Sequence, residues 1–158
     1  MLVNLALGVA TMALCLALQI ALLTRALVYY SKHQAALDEA SYLGTMTILC
    51  GVMFLLMFGN LGQVAIWAAL FQSLGEFSDY NTAFYHSAVN FSTLGYGDIV
   101  MSEQRKLLGP IQAINGVLMV GMSTAAFMTT LRDAIKQNKH GWTAKRAEQI
   151  RTLVDSQE

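Results

Sequence analysis

The residues best suited to chemistry form one short glycine-containing run, Thr93-Leu94-Gly95-Tyr96-Gly97-Asp98. Gly95 and Gly97 alternate with larger residues, and glycine adopts left-handed backbone dihedrals at little steric cost. A backbone turned in this way can direct several carbonyl oxygens to one side, where they replace the water around a cation. The chain offers no nucleophile beside a base and no side chains spaced for a metal. We therefore do not expect an enzyme.

The composition indicates that this run is set in a membrane protein. Hydrophobic residues make up 55% of the chain and charged residues 13%, against about 25% charged residues in an ordinary soluble domain. The formal net charge is zero, so no general attraction to nucleic acid is implied.

Three apolar segments are long enough to cross a bilayer, which takes about 20 residues. They cover roughly residues 2–28, 43–71 and 107–131. A signal peptide is the alternative for the first segment, but it lacks a positive N-terminal region and its apolar run is too long. Pro110 near the start of the third segment is compatible with a first helical turn.

The segment from Tyr80 to Ser92 is apolar enough to enter the membrane but too short to cross it. Asp79 or Asn81 could cap a helix here. A half-crossing helix followed by a glycine-rich loop is re-entrant, and such a loop must be buried in protein or line a cavity. The predicted fold is therefore an all-α membrane protein with three transmembrane helices, a re-entrant pore helix and a loop.

The distribution of Lys and Arg predicts the orientation of these segments. Six basic residues follow Leu131, whereas acidic residues dominate the stretch between the second and third spans. We expect the C-terminal tail to be cytoplasmic, the loop to enter from outside and the N-terminus to lie outside.

The order of outer helix, pore helix, glycine-rich loop and inner helix resembles the two-helix pore domain of potassium channels, over about residues 43–131. The run TLGYGD is similar to their selectivity filter, usually TVGYG followed by an acidic residue. The resemblance is closest to small bacterial channels, as in Phe84-Tyr85-His86-Ser87 and in the inner-helix run 121–125. It implies a multi-pass protein of a bacterial inner membrane.

The resemblance also assigns roles to individual residues. The backbone carbonyls expected to bind K⁺, with the threonine hydroxyl, belong to Thr93, Leu94, Gly95 and Tyr96. The residues expected to support the filter are Gly97, Asp98, Tyr85 and His86, with Tyr85 and His86 as the partners of Asp98. Gly121 matches the hinge at which inner helices bend, better than Gly116, although small residues also simply let helices approach.

A single filter segment per chain implies a homotetramer, because a ring of carbonyls needs several chains and the family uses four. The expected partners are K⁺ ions, further copies of this chain and the lipid bilayer, with no cofactor and no nucleic acid. We divide the chain into an additional N-terminal helix (1–30), a pore domain (40–131) and a cytoplasmic tail (132–158).

Two functional alternatives remain open at this point: a weakly selective cation channel of the same fold, and a non-conducting membrane subunit that modulates another complex. Polar residues inside a span usually face protein, so we expect Asn60 and Gln63 to bond the pore helix. We also expect Gly141 to break the helix of the tail.

Overall fold

A computed structural model describes residues 1–35 and 42–155 of the chain. It contains four helices in the order α1 (Leu2–Ala35), α2 (Tyr42–Ser73), α3 (Tyr80–Phe91) and α4 (Leu108–Asp155). The boundary placed at residue 40 and the last three residues of the tail lie outside the described part.

Three of these helices are long and apolar enough to cross a membrane. Their candidate spans are Leu2–His33, Tyr42–Ser73 and Leu108–Gln137. The 12 residues of α3 rise about 18 Å at 1.5 Å per residue, which is short of the roughly 30 Å of a bilayer core. The predicted all-α class, with three spans and one half-length helix, is confirmed.

Two boundaries differ from the sequence-based expectation. α1 continues to Ala35 rather than ending near residue 28, and α4 runs without interruption through Gly141 to Asp155. The predicted break at Gly141 is wrong. A single glycine costs a helix only about 1 kcal/mol, and Lys139, Ala144, Lys145 and Arg146 nearby are strong helix formers.

The helices pack around α2, which contacts each of the other three. Three hydrophobic clusters form the core. The first joins α1, α2 and the part of α4 around Ala134. The second surrounds Trp67 and Phe71, and the third lies between Val64, Phe91 and Met119. The third cluster places the end of α3 against both α2 and α4.

Candidate functional site

The half-length helix α3 is held at its start by a side-chain cap. Asp79 has an extended backbone, and its carboxylate accepts a hydrogen bond from the Thr82 amide at 3.1 Å. This satisfies one of the free amides that every helix N-terminus leaves. The cap fixes the residue at which α3 begins, and so the position from which the following loop starts.

The loop after α3, residues 93–97, has an alternating backbone, and we call it the return loop. The φ angle is +61° at Thr93, +59° at Gly95 and +73° at Gly97, whereas Leu94 and Tyr96 do not have positive φ. A backbone that alternates in handedness gathers its N–H groups on one face, so its carbonyls point to the opposite face. The expected role of Gly95 and Gly97 in turning the backbone agrees with their dihedrals.

The left-handed conformation of Thr93 was not anticipated from the sequence. It is the only non-glycine residue with positive φ in the described part of the chain, and for a β-branched residue this conformation is an outlier. Two bonds to α3 hold it there: the Thr93 amide donates to the Asn90 carbonyl and the Leu94 amide to the Val89 carbonyl, each at 3.0 Å. Such strain persists only where the surroundings over-determine it.

The carbonyl oxygens of the return loop are free to meet a ligand. Among the described residues, no hydrogen bond is donated to the carbonyls of residues 93–97. Polar backbone at membrane depth must find partners inside protein or in a cavity. A cation in line with these oxygens would supply that partner.

One predicted support of the loop is present and the other is different. The Tyr85 hydroxyl donates to Asp98 Oδ2 at 2.8 Å, and this bond raises the pKa of Tyr85. His86 was also expected to pair with Asp98. That prediction is wrong, because Nδ1 of His86 donates to the Ile99 carbonyl at 3.0 Å.

The ring of His86 is bonded through both of its nitrogens. Asn90 Nδ2 donates to His86 Nε2 at 2.9 Å, which requires a neutral ring protonated at Nδ1. The ring also packs against Phe71 and Phe77, with centroids 5.7 and 5.0 Å away. Burial lowers the pKa of His86; its bond to Ile99 and the carboxylates of Asp98 and Glu76 act in the opposite direction.

A carboxylate from the loop between α2 and α3 fixes the segment beyond Ile99. Glu76 accepts hydrogen bonds from the Ser102 amide at 2.7 Å and from the Ser102 hydroxyl at 2.8 Å. Arg105 Nε lies 3.4 Å from the same carboxylate. Sequence reasoning missed this clamp, because the partners are 26 residues apart and nothing in the local pattern pairs them.

A buried polar chain pins the middle of α3 between its neighbours. The fully buried Ser87 hydroxyl donates to the Val64 carbonyl of α2 at 2.7 Å. Gln112 of α4, also fully buried, donates to the Ser87 hydroxyl at 2.6 Å and to its carbonyl at 3.0 Å. Three helices are therefore joined by hydrogen bonds at one point.

The expected bonds from α2 to the pore helix are wrong for Asn60 and Gln63. Gln63 donates to Gln19 of α1 at 2.7 Å, and Asn60 lies 3.3 Å from the hydroxyl of Ser123 in α4. Both amides face protein, as predicted, but their partners lie in α1 and α4. The bond from α2 to α3 is made instead by the backbone carbonyl of Val64, which accepts from Ser87. No side-chain pattern in the sequence indicates this bond.

The two glycines of α4 differ in their surroundings. A Cβ at Gly116 would lie 2.0 Å from the Phe91 carbonyl oxygen, whereas a Cβ at Gly121 would meet nothing within 4 Å. Gly116 therefore lets the end of α3 lie directly against α4. Gly121 has no such contact, which leaves the hinge as its predicted role.

An apolar groove of about 640 Å³ opens beside the return loop. Its wall is formed by α2, α3 and α4 together with Leu94 and Tyr96 of the loop. Within one chain Leu94 is 57% exposed and Tyr96 67% exposed. A membrane protein leaves such apolar side chains on its surface where lipid or another protein covers them.

Residues 61–133 match the model of a protein family described as "Ion channel". The matched region includes the end of α2, all of α3, the return loop and the apolar part of α4. No solved structure matches the chain. The half-length helix, its alternating return loop and this match together support an ion channel that spans the membrane.

Proposed function

We propose that this chain is a subunit of a homotetrameric potassium channel, with the return loop as its selectivity filter. The observation that carries the proposal is the alternation of φ at Thr93, Gly95 and Gly97. In this reading the carbonyls of Thr93, Leu94, Gly95 and Tyr96 bind successive K⁺ ions, and Gly97 and Asp98 complete the outer mouth. K⁺ is the permeant ion and no cofactor takes part.

Dehydration of the ion sets the energetic requirement. A small ion loses tens of kcal/mol of hydration by Born estimates unless polar groups replace the water. Carbonyls that accept no other hydrogen bond meet this requirement without first breaking one. The C-terminal end of α3 adjoins the loop, so the negative end of its dipole further favours a cation nearby.

The apolar groove supports the proposed assembly. One chain contributes one row of carbonyls, and a ring requires several chains around a common axis. Leu94 and Tyr96, with the apolar wall of α2 and α4, offer a surface that a second copy of this chain would cover. The return loop would then be covered by protein on its outer side and would line the ion pathway with its carbonyls, which are the surroundings that a non-helical segment in a membrane needs.

We further propose that the loop faces outward and the tail lies in the cytoplasm of a bacterial cell. Basic residues concentrate after Leu131, at one end of α4, and the acidic residues Glu76, Asp79, Asp98 and Glu103 lie at the other end of the bundle. By the positive-inside rule the basic end is cytoplasmic. Three spans then place the N-terminus outside.

Flux through liposomes tests the proposal. Protein reconstituted into vesicles loaded with K⁺ should release K⁺ in a barium-sensitive manner and exclude Na⁺. Equal passage of K⁺ and Na⁺ would show a weakly selective cation channel instead, and the absence of any flux would show a non-conducting subunit. Either result overturns potassium selectivity as the function.

A matched pair of glycine variants connects the flux to the return loop. Gly95 and Gly75 both have positive φ, at +59° and +76°, and a Cβ at either would meet nothing within 4 Å. The backbone strain of alanine is therefore similar at the two positions. Gly95→Ala should abolish K⁺ selectivity or flux, whereas Gly75→Ala, in the turn after α2, should conduct like the wild type.

A further inference from the structure

The N-terminal helix α1 runs parallel to α4. It donates hydrogen bonds at three positions along its length, to the loop before α4 at the first and to α4 itself at the other two. Asn4 donates to the Gln104 carbonyl in the loop before α4, Gln19 to Ser123, and Tyr30 to Asp133. The partners are 100, 104 and 103 residues apart. Since this separation is nearly constant, the two helices lie side by side in the same direction along their apolar length.

The middle contact uses both ends of a buried amide. Gln19 is fully buried, donates to the Ser123 hydroxyl at 2.8 Å and accepts from Gln63 of α2 at 2.7 Å. An unbonded amide in an apolar environment is costly. Gln19 therefore fixes the rotation of α1 against both α2 and α4 in the middle of the span.

The third contact, between Tyr30 and Asp133, lies in a hydrophobic cluster. The Tyr30 hydroxyl donates to Asp133 Oδ2 at 3.0 Å, and the residue is 6% exposed. The same cluster contains Ala26 of α1, Val52 of α2 and Ala134 of α4. The lower part of α4 is therefore packed as well as hydrogen-bonded to α1.

These contacts lie on both sides of Gly121. In the part of α4 before Gly121, α1 approaches so closely that a Cβ at Gly8 would lie 2.9 Å from Ile111 Cγ2. Ser123 and Asp133 come after it. A bend of α4 at Gly121 would move the part of α4 after Gly121 while the part before it stays in place. A rigid α1 therefore cannot keep its contacts with both parts.

We propose that α1 is a brace that holds the inner helix straight, and that Gln19 and Tyr30 are positioning residues whose bonds to α4 are released when the pore opens. The inference rests on the proposed function, because it takes α4 as the pore-lining helix and Gly121 as its hinge. It assigns α1, which lies outside the region similar to ion channels, a direct part in setting the fraction of open channels.

Single-channel recording in planar bilayers tests the brace with a matched pair of tyrosines. Tyr30→Phe removes one hydroxyl and keeps the ring, and it should raise the open probability, with the open–closed equilibrium constant increased about fivefold per subunit, as expected for one lost hydrogen bond. Single-channel conductance and the K⁺/Na⁺ reversal potential should not change. Tyr29→Phe is the control, since the Tyr29 hydroxyl makes no hydrogen bond to a described residue.

Two further variants separate loss of the bond from general damage. Asp133→Asn keeps an oxygen that accepts from Tyr30, so it should stay close to the wild-type open probability. Gln19→Leu combined with Tyr30→Phe should open more than either change alone. An unchanged open probability in this double variant, in a protein that conducts K⁺, would overturn the brace and leave the proposed function intact.

Hydrogen–deuterium exchange tests the same bonds without any current. In Tyr30→Phe the amides of α4 after Gly121 should exchange faster than in the wild type, and those before it should not. This result would support the brace even if the wild-type protein carried no K⁺, in which case the proposed function alone would fail. The brace would be overturned if the amides of α4 after Gly121 exchanged no faster in any variant than in the wild type.

Discussion

Replacing Gly116 by alanine should displace the pore helix from α4. The new Cβ would lie 2.0 Å from the carbonyl oxygen of Phe91 and 2.8 Å from its carbonyl carbon. The two backbones would have to separate by about 1.4 Å to restore an ordinary contact of 3.4 Å. Neither partner is a side chain that can rotate away, so we expect the upper part of the usual overpacking cost, about 1–3 kcal/mol.

The displacement would be transmitted to the return loop. Phe91 is the last residue of α3, and Thr93 is tied to the same turn through its bond to Asn90. Gly116→Ala should therefore lower the melting temperature of the purified protein and reduce K⁺ flux in liposomes. Since interiors are close-packed, a shift of this size cannot be absorbed by empty space around the contact.

Gly121→Ala serves as the control for the melting temperature; its flux is not the reference, because Gly121 is the proposed hinge of the inner helix. It makes the same chemical change five residues later on the same helix, where the added Cβ meets nothing within 4 Å. The protein should melt at the same temperature or slightly higher, because alanine favours a helix over glycine by about 1 kcal/mol. If Gly116→Ala melts like Gly121→Ala and conducts like the wild type, the close contact of α3 with α4 does not position the loop.

Two further predictions concern the supports of the return loop. Tyr85→Phe removes the hydrogen bond to Asp98, so K⁺ flux should decline faster during sustained conduction, measured against Tyr80→Phe as the control. Acidification should lower the melting temperature, because burial lowers the pKa of His86 below 6.5. The stability from its neutral ring is full above pH 6.5 and is lost as the pH falls below that value.

The pH prediction has its own control. His86→Phe keeps an aromatic ring against Phe71 and Phe77 but cannot take up a proton, so its melting temperature should change less between about pH 7.5 and about pH 5. Protonation of Nε2 would place two donors, the ring N–H and the Asn90 amide, against each other. An equal pH dependence in both proteins would contradict the assignment to His86.

The sequence allowed much of this architecture to be predicted, because the signals involved are local. Apolar length marks the three spans, and an acidic cap with a short apolar run marks α3. Gly95 and Gly97 mark the turn of the return loop, since only glycine takes positive φ without strain. The bond between Tyr85 and Asp98 was predicted from the resemblance to potassium channels.

The remaining features depend on distant contacts that no local pattern specifies. Glu76 clamps Ser102 across 26 residues, and Gln63 bonds α1 rather than α3 because the rotation of each helix is set by packing. Thr93 is left-handed because α3 carbonyls hold its own amide and the next one. A threonine carries no sign of that conformation in its own preferences, which disfavour it.

The unbroken course of α4 makes its two ends mechanically continuous. From Gln137, the last residue of its candidate span, to Asp155 the helix rises about 27 Å at 1.5 Å per residue. A torque applied to the far end would therefore turn the membrane end as well, with no joint at Gly141 to absorb it. In the proposed channel, a rotation imposed on the tail would therefore reach the inner helix directly.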